Sequence, residues 1–139
     1  MKDTLTSVIL SIKPIYAQAI MAGTKKVEFR KKIFKKPVDK VFVYSSSPEK
    51  KIIGYFTIGK IIEGSPEQLW EKFKKVGGID KKDFFEYYKN SDTGFSIGVD
   101  SYEKFNEGVD PADFFEKFCA PQSYIYLEEE TATNIVYSK

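Results

Sequence analysis

Hydrophobic and polar positions near the start of the chain follow a pattern that predicts a strand, a helix and a second strand. Ser7 to Ile12 is a nearly continuous apolar run rich in β-branched residues, which is typical of a central strand. Pro14 favours the start of a short helix, and Gly23 suits the left-handed position that ends one. From Lys25 to Arg30, apolar and polar residues alternate with the period of a strand.

Short strands and helices are predicted for the remainder of the chain. Apolar runs predict strands at Val38–Ser45, Ile52–Ile62, Thr93–Val99 and Tyr124–Leu127. Capping residues predict helix starts at Ser65, Asp80 and Asp110, two of them followed directly by proline. The longest strand contains two glycines, Gly54 and Gly59, which indicate bulges or sharp bends. The acidic tail that begins at Glu128 is expected to be peripheral.

These elements predict an α+β fold in a single domain spanning residues 1–139. About six strands and three or four short helices occur without a regular strand–helix–strand alternation. Such strands, bent at glycines, favour a small mixed β-barrel with helices packed outside it. The core is expected to be rich in aromatic side chains, because the 139 residues include 12 Phe and 9 Tyr.

Charge is distributed unevenly, although the net value is only +2. Residues 1–40 hold ten Lys or Arg and three Asp or Glu, and the remaining residues hold 12 basic and 17 acidic groups. A basic segment attracts phosphate groups, so RNA or a nucleotide is an expected partner. A lysine-rich surface without a ligand gives the same pattern, and this alternative stays open.

Composition excludes several kinds of site. The chain has no histidine, which removes histidine-based catalysis and most zinc sites, and its single cysteine, Cys119, cannot form an internal disulfide. Neither a Walker loop nor a dinucleotide-binding glycine motif is present, so no cofactor and no metal are predicted. No apolar run approaches the roughly 20 residues of a membrane span. We therefore expect a cytoplasmic protein without a membrane partner; protein partners are not predicted.

The polar face of the second predicted strand is the main candidate site. Lys26, Glu28 and Arg30 share this face, and Arg30 is the only arginine in the chain. A carboxylate between two cations can be a surface ion pair of little energetic value. It can also line a cleft in which the forked guanidinium holds a phosphate or a base edge. The sequence pattern alone leaves both readings open.

Five short motifs in sequence order resemble the ASCH domain family of the PUA-like superfamily. They are Leu-Ser-Ile-Lys-Pro at 10–14, Gly-x-Lys-x-x-Glu-Phe-Arg at 23–30, Tyr-x-Ser-x-Pro at 44–48, Ile-Gly-x-Phe at 53–56 and Pro-Gln-Ser-Tyr at 121–124. The resemblance implies a PUA-like barrel with a basic cleft beside the first helix. It also implies RNA or nucleotide binding, in RNA metabolism or in the regulation of transcription or translation.

Some members of this family are amidohydrolases that remove an acyl group from N4-acetylcytidine. In those members the motif lysine assists a threonine nucleophile. Lys25 matches the lysine and Arg30 the arginine, but Glu28 occupies the position of the threonine. A carboxylate is a poor nucleophile towards an amide, which weighs against this activity.

Binding through the cleft is therefore the expected function. The residues expected to contact the ligand are Lys13, Lys25, Glu28, Arg30, Lys31, Lys32, Ser46 and Ser123. The alternative is a hydrolase acting on a modified nucleoside or on RNA, with Lys25 and Glu28 as an acid/base pair. A third possibility is that Glu28 only bridges Lys25 and Arg30 as part of the fold.

Overall fold

A computed structural model describes residues 6–118, 120 and 124–138. The expected ligand contact at Ser123 and the lone Cys119 lie outside these residues. The strands are β1 (Thr6–Ile12), β2 (Val27–Arg30), β3 (Val38–Ser45), β4 (Lys51–Gly64), β5 (Gly94–Val109) and β6 (Tyr124–Leu127). The α-helices are α1 (Pro14–Met21), α2 (Pro66–Phe73), α3 (Lys81–Tyr87) and α4 (Glu129–Ser138). None of these helices is long and apolar enough to cross a membrane.

The six strands form one mixed sheet in the order β2-β5-β4-β3-β1-β6. β1 pairs in parallel with β3, and the other strand pairings among the described residues are antiparallel. The register of the β4–β5 pairing shifts between Ile52 and Gly54 and again between Thr57 and Ile61, close to Gly54 and Gly59 of β4. Such irregularities bend a strand and increase its twist. The sheet with its four helices confirms the predicted α+β fold, with β2 and β6 at the two ends of the strand order.

Both faces of the sheet are covered, which explains the continuous apolar run of β1. Val8 and Leu10 pack in a cluster that includes residues of α1, and Ile9 packs in a second cluster that includes Ile135 of α4. All three β1 side chains are fully buried. A strand that is buried on both faces needs apolar residues at successive positions rather than at every second one.

A tight turn after α1 directs the chain into β2. The Gly23 N–H donates to the Ile20 carbonyl and the Thr24 N–H to the Ala19 carbonyl, both at 3.1 Å. This is the Schellman pattern, with Gly23 in the left-handed conformation at a φ of 82°. The end of the helix predicted from Gly23 is therefore confirmed, and the turn places Lys25 and the β2 side chains next to α1.

Three parts of the fold differ from the sequence predictions. The strand predicted at Thr93–Val99 extends to Val109, because β5 continues as a largely exposed, polar strand paired with β4. The helix predicted from Asp110 is only the short 3₁₀ turn Pro111–Asp113. The acidic tail forms α4 rather than a peripheral segment, and Ile135 of this helix is fully buried.

Candidate ligand cleft

A cleft of about 390 Å³ opens between α1, the end strand β2 and α3. This volume lies within the range of small-molecule binding sites. β1 and the residues after it contribute Ser11, Ile12 and Lys13, and α1 contributes Tyr16. The β2 region contributes Lys25, Glu28, Phe29 and Arg30, and the α3 side contributes Ile79, Asp83, Phe84, Glu86 and Tyr87. The cleft is therefore formed by two segments that are distant in the sequence.

Three charged side chains form a continuous chain at the floor of the cleft. Oε2 of Glu28 accepts from Nε of Arg30 at 3.1 Å and lies 2.9 Å from its Nη2. Oε1 of Glu28 lies 3.9 Å from Nζ of Lys25. Lys25 is 2% exposed and Glu28 6% exposed. The chain is thus a buried ion-pair network that lines a concave site, and not a surface ion pair.

Arg30 also connects β2 to the end of β1. Its Nη2 donates to the Ser11 carbonyl at 2.7 Å, and its own carbonyl accepts from the Tyr88 hydroxyl at 3.0 Å. With Nε and Nη2 engaged, Nη1 makes no hydrogen bond to any described residue. The guanidinium carries five N–H donors, so those of Nη1 are available to a ligand.

Lys25 is held by the backbone and by aromatic rings. Its Nζ donates to the Gly77 carbonyl and lies 5.2 Å from the centre of the Tyr16 ring and 5.1 Å from that of Phe29. Burial lowers the pKa of Lys25; the nearby Arg30 lowers it further, whereas Glu28 opposes the shift. The floor lysine therefore loses its proton more easily than a lysine in water.

Two tyrosines, Tyr16 of α1 and Tyr87 of α3, line the cleft. Burial raises the pKa of Tyr16, and the carboxylates of Asp83, Asp80 and Glu28 add to the shift. Burial also raises the pKa of Tyr87, whose ring lies 4.9 Å from the Lys31 Nζ. Both hydroxyls stay protonated near neutral pH and can donate hydrogen bonds.

The lining is balanced in charge, although the sequence predicted a basic cleft. Its cations are Lys13, Lys25 and Arg30, and its carboxylates are Glu28, Asp83 and Glu86. Four of the expected ligand residues, Lys13, Lys25, Glu28 and Arg30, are thus brought together, while Lys31 and Lys32 are exposed on the loop after β2 and lie outside the lining. Ser46 also lies outside it, but its N–H donates to the carbonyl of Ile12, a lining residue, at 2.9 Å.

Sequence reasoning missed the residues that α3 contributes. Asp83, Glu86 and Tyr87 are spaced as i, i+3 and i+4 and therefore lie on one face of the helix. That spacing was visible in the sequence. The packing of α3 beside β2, which turns this face towards the cleft, was not.

Comparisons with known proteins agree with this architecture. The ASCH domain pattern matches residues 10–130. An ASCH domain-containing ribonuclease from Zymomonas mobilis is 23% identical over 131 residues, covering 92% of this chain and 88% of the relative. The large ribosomal subunit protein uL22 of Ureaplasma parvum is 27% identical over 128 residues, but the chain spans only 41% of its length. The crystal structure of ASCH from Zymomonas mobilis superposes with a TM-score of 0.88 at 21% identity, covering 94% of each chain. This protein belongs to the ASCH domain family.

Proposed function

We propose that this protein binds single-stranded RNA and that the cleft holds one of its nucleotides. The observation that carries the proposal is the buried Lys25–Glu28–Arg30 network at the floor of a cleft with aromatic walls. Membership of the ASCH family, and a relative that is named a ribonuclease, support a function connected with RNA. Sequence-independent RNA binding commonly combines cationic groups for phosphates with aromatic rings for unstacked bases.

The phosphate of the bound nucleotide is expected on the side of Lys13 and Arg30. Lys13 is exposed at the N-terminus of α1, and Nη1 of Arg30 has donors that no described residue uses. The base is then expected beside the rings of Tyr16 and Tyr87, which both line the cleft. A base inside a duplex cannot reach such a site, so the proposal requires a single strand.

Glu28 is assigned a positioning role within this proposal. Both of its carboxylate oxygens already face cations, with Arg30 at 2.9 Å and Lys25 at 3.9 Å. Such a carboxylate fixes the orientation of the guanidinium rather than accepting from a base. Lys31 and Lys32 are proposed to hold neighbouring phosphates along the loop after β2. Hydroxyl contacts from Ser46 and Ser123 stay predictions.

Fluorescence anisotropy with a labelled single-stranded RNA, measured over a series of salt concentrations, tests this function. Arg30→Lys keeps the positive charge but loses the planar, forked set of N–H donors of the guanidinium. It is expected to weaken RNA binding by about 1–3 kcal/mol. Lys13→Ala is expected to reduce the slope of log K for RNA binding against log salt concentration by about one unit, because about one phosphate contact is lost. Lys104→Ala on exposed β5 is the matched control. Wild-type affinity in both cleft variants, with intact folding, would refute the proposal.

RNA hydrolysis is a second candidate function, favoured by the ribonuclease name of the Zymomonas mobilis relative. In this version neutral Lys25 takes the proton of the attacking hydroxyl as its oxygen bonds to phosphorus, the phosphorus–oxygen bond to the leaving nucleotide breaks, and the leaving oxygen takes a proton from solvent. Glu28, 3.9 Å from the Lys25 Nζ, stabilises the ammonium that forms. Electrophoresis of labelled RNA after incubation with wild type and with Lys25→Met is the test. Cleavage that does not depend on Lys25 excludes the assignment.

A parallel incubation with N4-acetylcytidine tests the amidohydrolase reaction suggested by the family resemblance. Glu28 lies where those enzymes have a threonine, and its carboxylate is engaged by Arg30. We therefore expect no release of cytidine. Release that is abolished by Lys25→Met would show that the cleft performs this chemistry without the hydroxyl nucleophile.

A further inference from the structure

The charged groups of the cleft are divided between its two sides. Lys13 lies on the side of β1 and α1, whereas Asp83 and Glu86 lie on α3. Neither α3 carboxylate makes an ion pair or hydrogen bond with any residue in the described ranges. The cleft therefore has a cationic side and a side whose hydrogen-bond acceptors remain available to a ligand.

Because of this division, the α3 carboxylates are better placed to accept hydrogen bonds from a base than the carboxylate of Glu28. Arg30 and Lys25 already occupy Glu28, the floor carboxylate. A carboxylate on α3 only accepts hydrogen bonds, so it favours ligand groups that donate N–H and disfavours carbonyl oxygens. It also repels phosphate, which directs the phosphate towards Lys13 and the unused Nη1 of Arg30.

We propose that Asp83 and Glu86 make the cleft prefer nucleotides whose base carries an exocyclic amino group over uridine nucleotides. The inference rests on the proposed function and names the ligand class of the same site. Cytosine presents an N4 amino group where uracil presents the O4 carbonyl, and a carboxylate accepts from the first and repels the second. Adenine and guanine carry amino groups as well.

Tyr16 lies within electrostatic reach of one of the α3 carboxylates. After burial, the largest cause of the raised pKa of Tyr16 is the charge of Asp83, which also lines the cleft. The Asp83 charge therefore acts on a second side chain of the same cleft lining. The protonated Tyr16 hydroxyl can donate a hydrogen bond and the α3 carboxylates can accept, so a base with both donors and acceptors has partners of both kinds in the cleft lining.

Binding of short homopolymers tests the preference. Labelled pentamers of cytidine and uridine differ in the base edge but not in ring size, so the pair separates hydrogen bonding from stacking. Wild type is expected to bind the cytidine pentamer at least fivefold more tightly at about 0.15 M salt. In the Asp83→Asn, Glu86→Gln double variant the ratio is expected to fall below twofold, because amides both donate and accept. Asp113→Asn, in the distant 3₁₀ turn, is the control that keeps the ratio.

The possible results distinguish failure of the base preference from failure of the proposed RNA binding. Equal wild-type affinity for the two pentamers overturns the amino-group preference and leaves RNA binding intact. A preference that survives the double variant also overturns the assignment to Asp83 and Glu86. Binding of neither pentamer, nor of longer single strands, removes the proposed function and the inference together.

Discussion

Replacing Glu28 by glutamine tests the central network of the cleft. Glutamine keeps the size and shape of the side chain but removes its charge. Arg30 at 2.9 Å and Lys25 at 3.9 Å then become two cations without a counter-ion. Because Lys25 is 2% exposed, water cannot replace the lost carboxylate at its ammonium group.

The expected loss of stability is about 2–4 kcal/mol. At an effective dielectric constant of about 20, each of the two ion pairs attracts by roughly 4–6 kcal/mol before desolvation is counted. Desolvation of the carboxylate offsets much of this attraction, and removing one partner of a buried pair typically costs about 3–5 kcal/mol. The Arg30 side chain is 13% exposed, so partial solvation lowers the expected cost.

Urea unfolding followed by the fluorescence of Trp70 measures the loss. Trp70 is the only tryptophan in the chain, and its ring lies 5.2 Å from that of Phe84, a residue of the cleft wall. The unfolding midpoint of Glu28→Gln is expected to fall by roughly 1–2 M with little change in the m-value. Glu107→Gln, at an exposed position of β5, is the control and should stay within about 0.5 kcal/mol of wild type.

A second substitution separates the charge effect from a packing defect. If the cost of Glu28→Gln comes from a buried cation without a partner, adding Lys25→Met should restore part of the stability. A loss below about 1 kcal/mol for Glu28→Gln would refute the reasoning. So would a double variant whose loss is the sum of two independent losses.

Three further predictions concern the supports of the cleft. Burial raises the pKa of Tyr88, so above about pH 10 the unfolded chain loses this proton while the folded chain keeps it. The free energy of unfolding should therefore fall above about pH 10, and less steeply in Tyr88→Phe. Thermal unfolding of both proteins from pH 7 to 11 measures the difference. Gly78→Ala should cost about 1–3 kcal/mol in urea unfolding, because Gly78 has a φ of 62° and a Cβ there would lie 2.7 Å from Cβ of Lys25. Ser65→Ala removes a capping-box hydroxyl from α2 and should cost about 1 kcal/mol in the same assay.

Local signals in the sequence were sufficient for much of the fold. The apolar run of β1, the proline that starts α1 and the left-handed Gly23 each act within a few residues, so the sequence could be read directly there. The second half of β5 could not be predicted, because residues 100–108 are mostly polar and are held as a strand by pairing with β4. α4 was missed because its acidic first turn resembles a solvated tail, while burial of Ile135 depends on tertiary packing.

The candidate site was predictable on one side only. The alternation in β2 placed Glu28 and Arg30 on one polar face, and in the structure Glu28 is buried and Arg30 partly buried at the cleft floor. The contribution of α3 depends on how a distant helix packs against β2, and no local pattern specifies that contact. The lysines of residues 31–36 suggested a basic cleft, yet the structure leaves most of these side chains exposed on a loop.

The cleft is formed by two segments, and substitutions in one of them can change the ligand preference without destabilising the other. The floor is the Lys25–Glu28–Arg30 network, whose charged groups are paired and largely buried, so a substitution there costs several kcal/mol. Asp83 and Glu86 are exposed, and replacing such residues usually changes stability by less than about 0.5 kcal/mol. Under the proposed function, substitutions in α3 can change which base is accepted while the Lys25–Glu28–Arg30 network stays intact.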